Sequence, residues 1–233
     1  MLLRCTQLIA LSQFARLLTC TLFFGSFLAV VPARADIPYE DPSNQGTQSW
    51  GGNLGLNFTV ITPITVTQLG VFNAAGNGVI TGPIKVAIFD FSTSQVVTPV
   101  VTFEGSYTPA GLGYDVFQSI TPVTLAAGSY QVDAFGFGTD LNGNLNTGSS
   151  TGPILNNLGG AIVFTGASWD YDTSSLDYPT TCIICQGGPS PQNQQFDAGT
   201  FAVPEPSEIV LLLSLITALG LTSVLGRKLR AIR

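Results

Sequence analysis

Two carboxylates alternate with two aromatic rings in the run Trp169-Asp170-Tyr171-Asp172. On a strand, successive side chains point to opposite faces, so both acids would share one face and both rings the other. Carboxylates paired at a set separation are what glycoside hydrolysis requires, and rings beside acids can hold a sugar by stacking and hydrogen bonding. The plainer expectation is a strand end whose ring side enters the core while its acids meet water. A second group of oxygen donors, Asp140, Asn142 and Asn144, alternates along the chain in a way that suits a hard cation such as calcium. Against that stand Leu145, where the helix-loop-helix calcium signature needs glycine, and Thr151, where it needs a bidentate Glu. A solvated Asn/Gly loop is the better expectation, and no cofactor is expected apart from that possible calcium.

The remaining reactive residues are few. The chain has no histidine, which removes the commonest general base and the commonest metal ligand together. Cys182 and Cys185 are separated by two residues and lie between Pro179 and Gly187-Gly188-Pro189. A local disulfide or free thiols fit that loop better than a catalytic dithiol, which belongs at a helix start, or zinc, which needs four ligands. No phosphate-cradling glycine loop is present, and because Ser, Thr and Tyr have no histidine base and Lys85 stands alone, an enzyme is not expected.

These residues need a scaffold, and the pattern that would build it is β. Runs at 54–61, 64–72, 84–91, 96–103, 114–120 and 129–135 are rich in β-branched and aromatic residues, several with apolar and polar positions alternating. Turn-forming residues separate them, as in Asn73-Ala74-Ala75-Gly76-Asn77-Gly78. Short strands at this spacing predict an all-β, antiparallel β-sandwich of jelly-roll type. Segment 136–160 is crowded with Gly, Asn, Ser and Thr and predicts a long loop, after which 161–164 and 196–203 read as further strands.

Both ends of the chain are of a different kind. Arg4 and Arg16 precede the apolar run 17–31, which ends in Ala33-Arg34-Ala35-Asp36. That is a charged start, an apolar stretch and an Ala-x-Ala site, so 1–35 is expected to be a secretory signal peptide cut before Asp36, with the Sec export machinery as a partner. At the other end Val203-Pro204-Glu205-Pro206 resists helix, because each proline lacks an N–H and restricts its predecessor. Residues 209–226 then carry no charge, and Arg227, Lys228, Arg230 and Arg233 follow. At about 1.5 Å per residue the uncharged stretch reaches roughly 27 Å, near a bilayer core of about 30 Å, so it is expected to form one transmembrane helix. The basic end then lies in the cytoplasm, acts as a membrane-retention charge, and leaves 36–202 outside.

The order Val-Pro-Glu-Pro, apolar span and basic end is similar to the PEP-CTERM sorting signal of exported bacterial proteins. The resemblance covers 203–233 and implies a membrane-embedded exosortase-type protease that recognises and processes the segment. The stretch 56–137 also resembles an uncharacterised β-sandwich domain recurrent among PEP-CTERM proteins. It does so through Phe58-Thr59-Val60, Pro63-Ile64-Thr65-Val66-Thr67-Gln68-Leu69-Gly70-Val71-Phe72, Val86-Ala87-Ile88-Phe89-Asp90 and Pro122-Val123-Thr124-Leu125-Ala126-Ala127-Gly128-Ser129-Tyr130. That likeness implies fold and location and no active site.

Charge narrows the partners further. Between the two ends, twelve acids face one base, Lys85. Such a surface repels nucleic acid and anionic lipid. The expected function is therefore a non-enzymatic cell-envelope or extracellular-matrix protein, secreted to the cell surface and associated with exopolysaccharide. The alternative is a carbohydrate- or calcium-binding module using the same export route.

Overall fold

The computed structural model describes residues 35–40, 48–111, 113–144, 154–182 and 196–204. The leader with Ala33, the loop with Cys185, and the tail with Glu205, Pro206, Arg227, Lys228, Arg230 and Arg233 lie outside these residues. All described residues fall in one compact unit, Ala35–Arg233. Among them no helix is long and apolar enough to cross a membrane; the uncharged stretch 209–226 is not among them.

The described chain forms β1 (Ala35–Asp36), β2 (Tyr39–Glu40), β3 (Asn53–Val60), β4 (Ile64–Phe72), β5 (Val79–Asp90), β6 (Gln95–Val96), β7 (Val101–Ser106) and β8 (Pro109–Ala110). It continues with β9 (Asp115–Leu125), β10 (Gly128–Phe135), β11 (Gly143–Asn144), β12 (Ile154–Leu155), β13 (Ile162–Trp169), β14 (Thr181–Cys182), β15 (Phe196–Asp197) and β16 (Gly199–Pro204). One sheet has the order β1-β16-β4-β9-β8. The other runs β14-β13-β3-β10-β5-β6, with β7 also on β5, and two small ribbons pair β11 with β15 and β12 with β2. All pairings are antiparallel. The architecture is all-β and consistent with a β-sandwich.

Alternation decides which side chains enter the space between the sheets. From β3 come Leu54, Leu56, Phe58 and Val60, from β10 Tyr130, Val132 and Ala134, and from β16 Phe201, all buried in one cluster. The rings of Phe58 and Phe201 meet across the two layers at 5.0 Å. Burying each such side chain contributes about 1.5–3 kcal/mol. On β4 the apolar positions change parity, from Ile64 and Val66 to Leu69 and Val71. An unbroken strand would send the two pairs to opposite faces. A register shift between Val66 and Gln68, where β9 runs two residues longer than β4, interrupts the alternation, and all four are buried.

Several boundaries differ from the sequence-based expectation. The run 96–103 is two strands, because Pro99 cannot donate to a ladder; Thr98 fills the break by accepting from the Ile88 N–H at 2.9 Å. The run 114–120 continues through Pro122 to Leu125. β8 covers only Asp115 and Val116, so Pro122 sits on an open edge where no N–H is needed. The stretch expected as a long loop contributes β11 and β12, each tied to a distant segment.

Candidate functional site

On the outer face of the larger sheet, the positions alternating with the core residues are polar yet buried: Asn53, Asn57, Gln131, Asp133 and Ser168. The register sets Asp133 and Ser168 opposite Gly55, and Gln131 opposite Asn57. Glycine is required at position 55 by space. A Cβ there would meet Asp133 Oδ1 at 2.2 Å and the Gln131 side chain at 2.6 Å.

Residues 170–180 lie against this face as an irregular strap. Asn53 is the fastener. Its Nδ2 donates to Asp177 Oδ1 (2.7 Å), Asp170 Oδ1 (3.1 Å) and the Ser175 carbonyl (3.1 Å), while its Oδ1 accepts from the Asp177 N–H (3.1 Å). Further along, the Tyr178 ring packs 6.1 Å from Phe89 and 5.8 Å from Phe91. The strap also makes its own turns, with Asp170 accepting from the Asp172 N–H and Asp172 from the Ser174 N–H and hydroxyl.

The strap brings the half-exposed carboxyl groups of Asp170 and Asp177 near the buried Asp133. Burial, then the charges of Asp170 and Asp177, push the Asp133 carboxyl well above the usual range. Burial and the neighbouring Asp170 and Asp172 push Asp177 up to about 6. Tyr178 is pushed up to about 12, by burial and then by Asp133 and Asp90. Asp172 moves the other way, because the Ser174 hydroxyl and N–H stabilise its charge.

One end of the Gln131 amide lies 3.0 Å from Asp133 Oδ2; with its oxygen there, two facing acceptors need a proton between them. A neutral Asp133 supplies it and donates to Gln131, whose Nε2 donates in turn to Asn57 Oδ1 at 2.6 Å. The reversed amide would suit an ionised carboxylate, the form that burial disfavours.

The sequence-derived candidates fall around this region in unequal ways. Trp169 ends β13, while Asp170, Tyr171 and Asp172 lie beyond it in the strap, so the expected alternation on one strand stops at its first residue. The two rings instead meet each other, edge to face at 4.7 Å, and both meet Trp50 at 5.1–5.5 Å. Tyr171 is 74% exposed. Asp170 is committed to Asn53, and Trp50 Nε1 donates to the Asp170 carbonyl at 3.1 Å. Trp50, Asn53, Asp133 and Asp177 were not singled out from sequence. An acid at the polar beat of the strand 129–135 was the available sign for Asp133.

Of the possible calcium donors, Asp140 and Asn142 are engaged elsewhere. Asp140 accepts from the N–H groups of Thr81 and Gly82 (3.0 and 2.9 Å), and buried Asn142 accepts from the Trp50 N–H (3.2 Å). Asn144 pairs with Phe196 through β11. Among the described residues no three His, Cys, Asp or Glu side chains converge. Cys182 lies in β14 opposite Ser168; its partner in the CxxC pattern is outside the described residues.

The first half of the tail motif is well defined. Val203 is buried in the core and Pro204 is exposed, both on β16. Opposite them stand Asp36 and Ala35, the two residues flanking the expected leader cut.

No protein-family model matches the chain, and no curated protein sequence matches it either.

Proposed function

We propose that this chain is an exported, non-enzymatic cell-envelope or extracellular-matrix protein with a jelly-roll-like domain. It is sorted by its C-terminal PEP-CTERM-like segment and processed there by an exosortase-type protease. The observation that carries this reading is the order of the tail: Val203-Pro204-Glu205-Pro206, an uncharged span and a basic end. The position of Pro204 supports it, since the described domain runs up to that residue as strand and exposes it. Two prolines disfavour helix within the motif itself, which suits a protease that binds its substrate as an added strand.

Replacing Pro204-Glu205-Pro206 with three alanines is expected to hold the protein in the membrane fraction. Fractionation and mass spectrometry of the C-terminus read this directly. Release of the triple variant into the medium at the wild-type level rejects the reading.

A second reading, a carbohydrate-binding surface module, draws on the three-ring group Trp50, Trp169 and Tyr171. Its most exposed ring stands beside acids that could meet sugar hydroxyls. It requires a glycan-dependent rise in melting temperature that Tyr171→Ala removes; no rise with exopolysaccharide leaves the first reading alone.

A further inference from the structure

The N-terminal segment runs along the outer edge of β16. Ala35 pairs with Pro204 and Asp36 with Val203, and three residues further on the Thr200 hydroxyl donates to the Tyr39 carbonyl at 2.9 Å. The Tyr39 hydroxyl donates in turn to Asp197, so the segment is anchored at its far end. On its other side β16 pairs with β4 as far as Ala202. Val203 and Pro204 therefore have one ladder partner among the described residues, the dipeptide Ala35–Asp36. A cleft beside this junction is lined by Asp36, Ile64, Asn156, Leu158, Val203 and Pro204.

The leader cut is expected to fall inside that dipeptide. Cleavage before Asp36 takes Ala35 away from Pro204 and leaves Asp36 as a chain end, where pairing frays. The Tyr39 anchor remains, so the opening is confined to Val203 and Pro204. A strand edge freed in this way offers main-chain groups to an incoming strand, with a neighbouring cleft for its side chains.

We infer that Ala35–Asp36 is a removable cover on the sorting strand, so that leader cleavage must come first and uncovers the Val203–Pro204 edge for the protease that processes the tail. This rests on the reading of the tail as a processing signal. It adds an order of events, and a docking edge, that the reading alone does not contain. Export and tail processing then follow one another without a separate timing factor, because an uncut chain hides the start of its own motif.

The test compares two full-length variants that both retain the leader. Ala35→Leu puts a bulky residue at the Ala-x-Ala site and keeps the N–H that the ladder uses. Ala35→Pro with Asp36→Pro blocks the cut and removes both N–H groups. Mass spectrometry of both termini in the producing cells is expected to find an intact tail in Ala35→Leu and a processed tail in the double proline variant. Tail processing at the wild-type level in Ala35→Leu overturns the inference while leaving the tail reading in place. An intact tail in the double proline variant also overturns it, because the leader and not the pairing would then be the block. A wild-type chain that keeps Arg233 defeats the tail reading and the inference together. Hydrogen exchange gives a check independent of the protease: the peptide spanning 199–204 is expected to exchange faster in the cleaved chain than in Ala35→Leu. Equal rates overturn the cover.

Discussion

Asp133 sets the acid response of the molecule. Its carboxyl and that of Asp177 are raised in the folded state, whereas in the unfolded chain both ionise near the ordinary value of about 3.9. Between those values the unfolded chain has released a proton that the folded one still holds. Their stabilisation is thus complete below about pH 4 and is lost as pH rises, for Asp177 through about 6. Asp90 and Asp172 are lowered and act oppositely, losing their contribution only below the ordinary carboxylate range. Thermal melts are therefore expected to show a higher midpoint at pH 5 than at pH 7.5. Asp133→Asn keeps the shape and gives Gln131 a permanent donor, so it should raise the midpoint at pH 7.5 and flatten the pH dependence. An unchanged profile would mean that Asp133 is ionised in the fold. At the facing position, Gly55→Ala drives a methyl group into the Asp133 carboxyl and should cost about 1–3 kcal/mol, read from denaturant midpoints.

At the scale of elements, the strap is the part of the fold with the least regular pairing and the most side-chain fastening. Asn53 holds it at Asp170, Ser175 and Asp177, and Tyr178 holds its far end against Phe89 and Phe91. Asn53→Ala removes the first fastener and leaves the acids of the strap without their amide donor. It should cost about 1–3 kcal/mol. Hydrogen exchange should show where the loss falls, with β10 and the residues of 170–180 deprotected relative to β4 and β9. A uniform loss across both sheets would mean that the strap and the core open as one unit.

For the whole molecule, the charge distribution carries the argument for orientation. Twelve acids and one lysine fill 36–202, while four cations follow the uncharged span. On the proposed topology, changing Arg227, Lys228 and Arg230 to Glu would remove the barrier to translocation and should impair retention of the full chain in the membrane fraction. Retention at the wild-type level in that variant counts against a cytoplasmic C-terminus. The same imbalance makes the domain self-repelling, which salt screens.

Periodicity in the sequence was enough to determine that the described domain is β, and where most strands lie. The alternating residues of β3 and β10 name their own inward faces, because a two-residue repeat depends on local geometry alone. The tail pattern, being contiguous, is likewise read from sequence alone, and 205–233 lie outside the described residues. Tertiary structure alone decided that Asn53, Asp133 and Asp177 meet, since a polar beat on a strand looks the same whether water or a distant strap covers it. It also broke the Trp169–Asp172 alternation at the strand end and supplied Trp50 as the third ring. Only the fold sets Ala35 and Asp36 against Pro204 and Val203, because that contact spans nearly the whole described chain and depends on every strand pairing between.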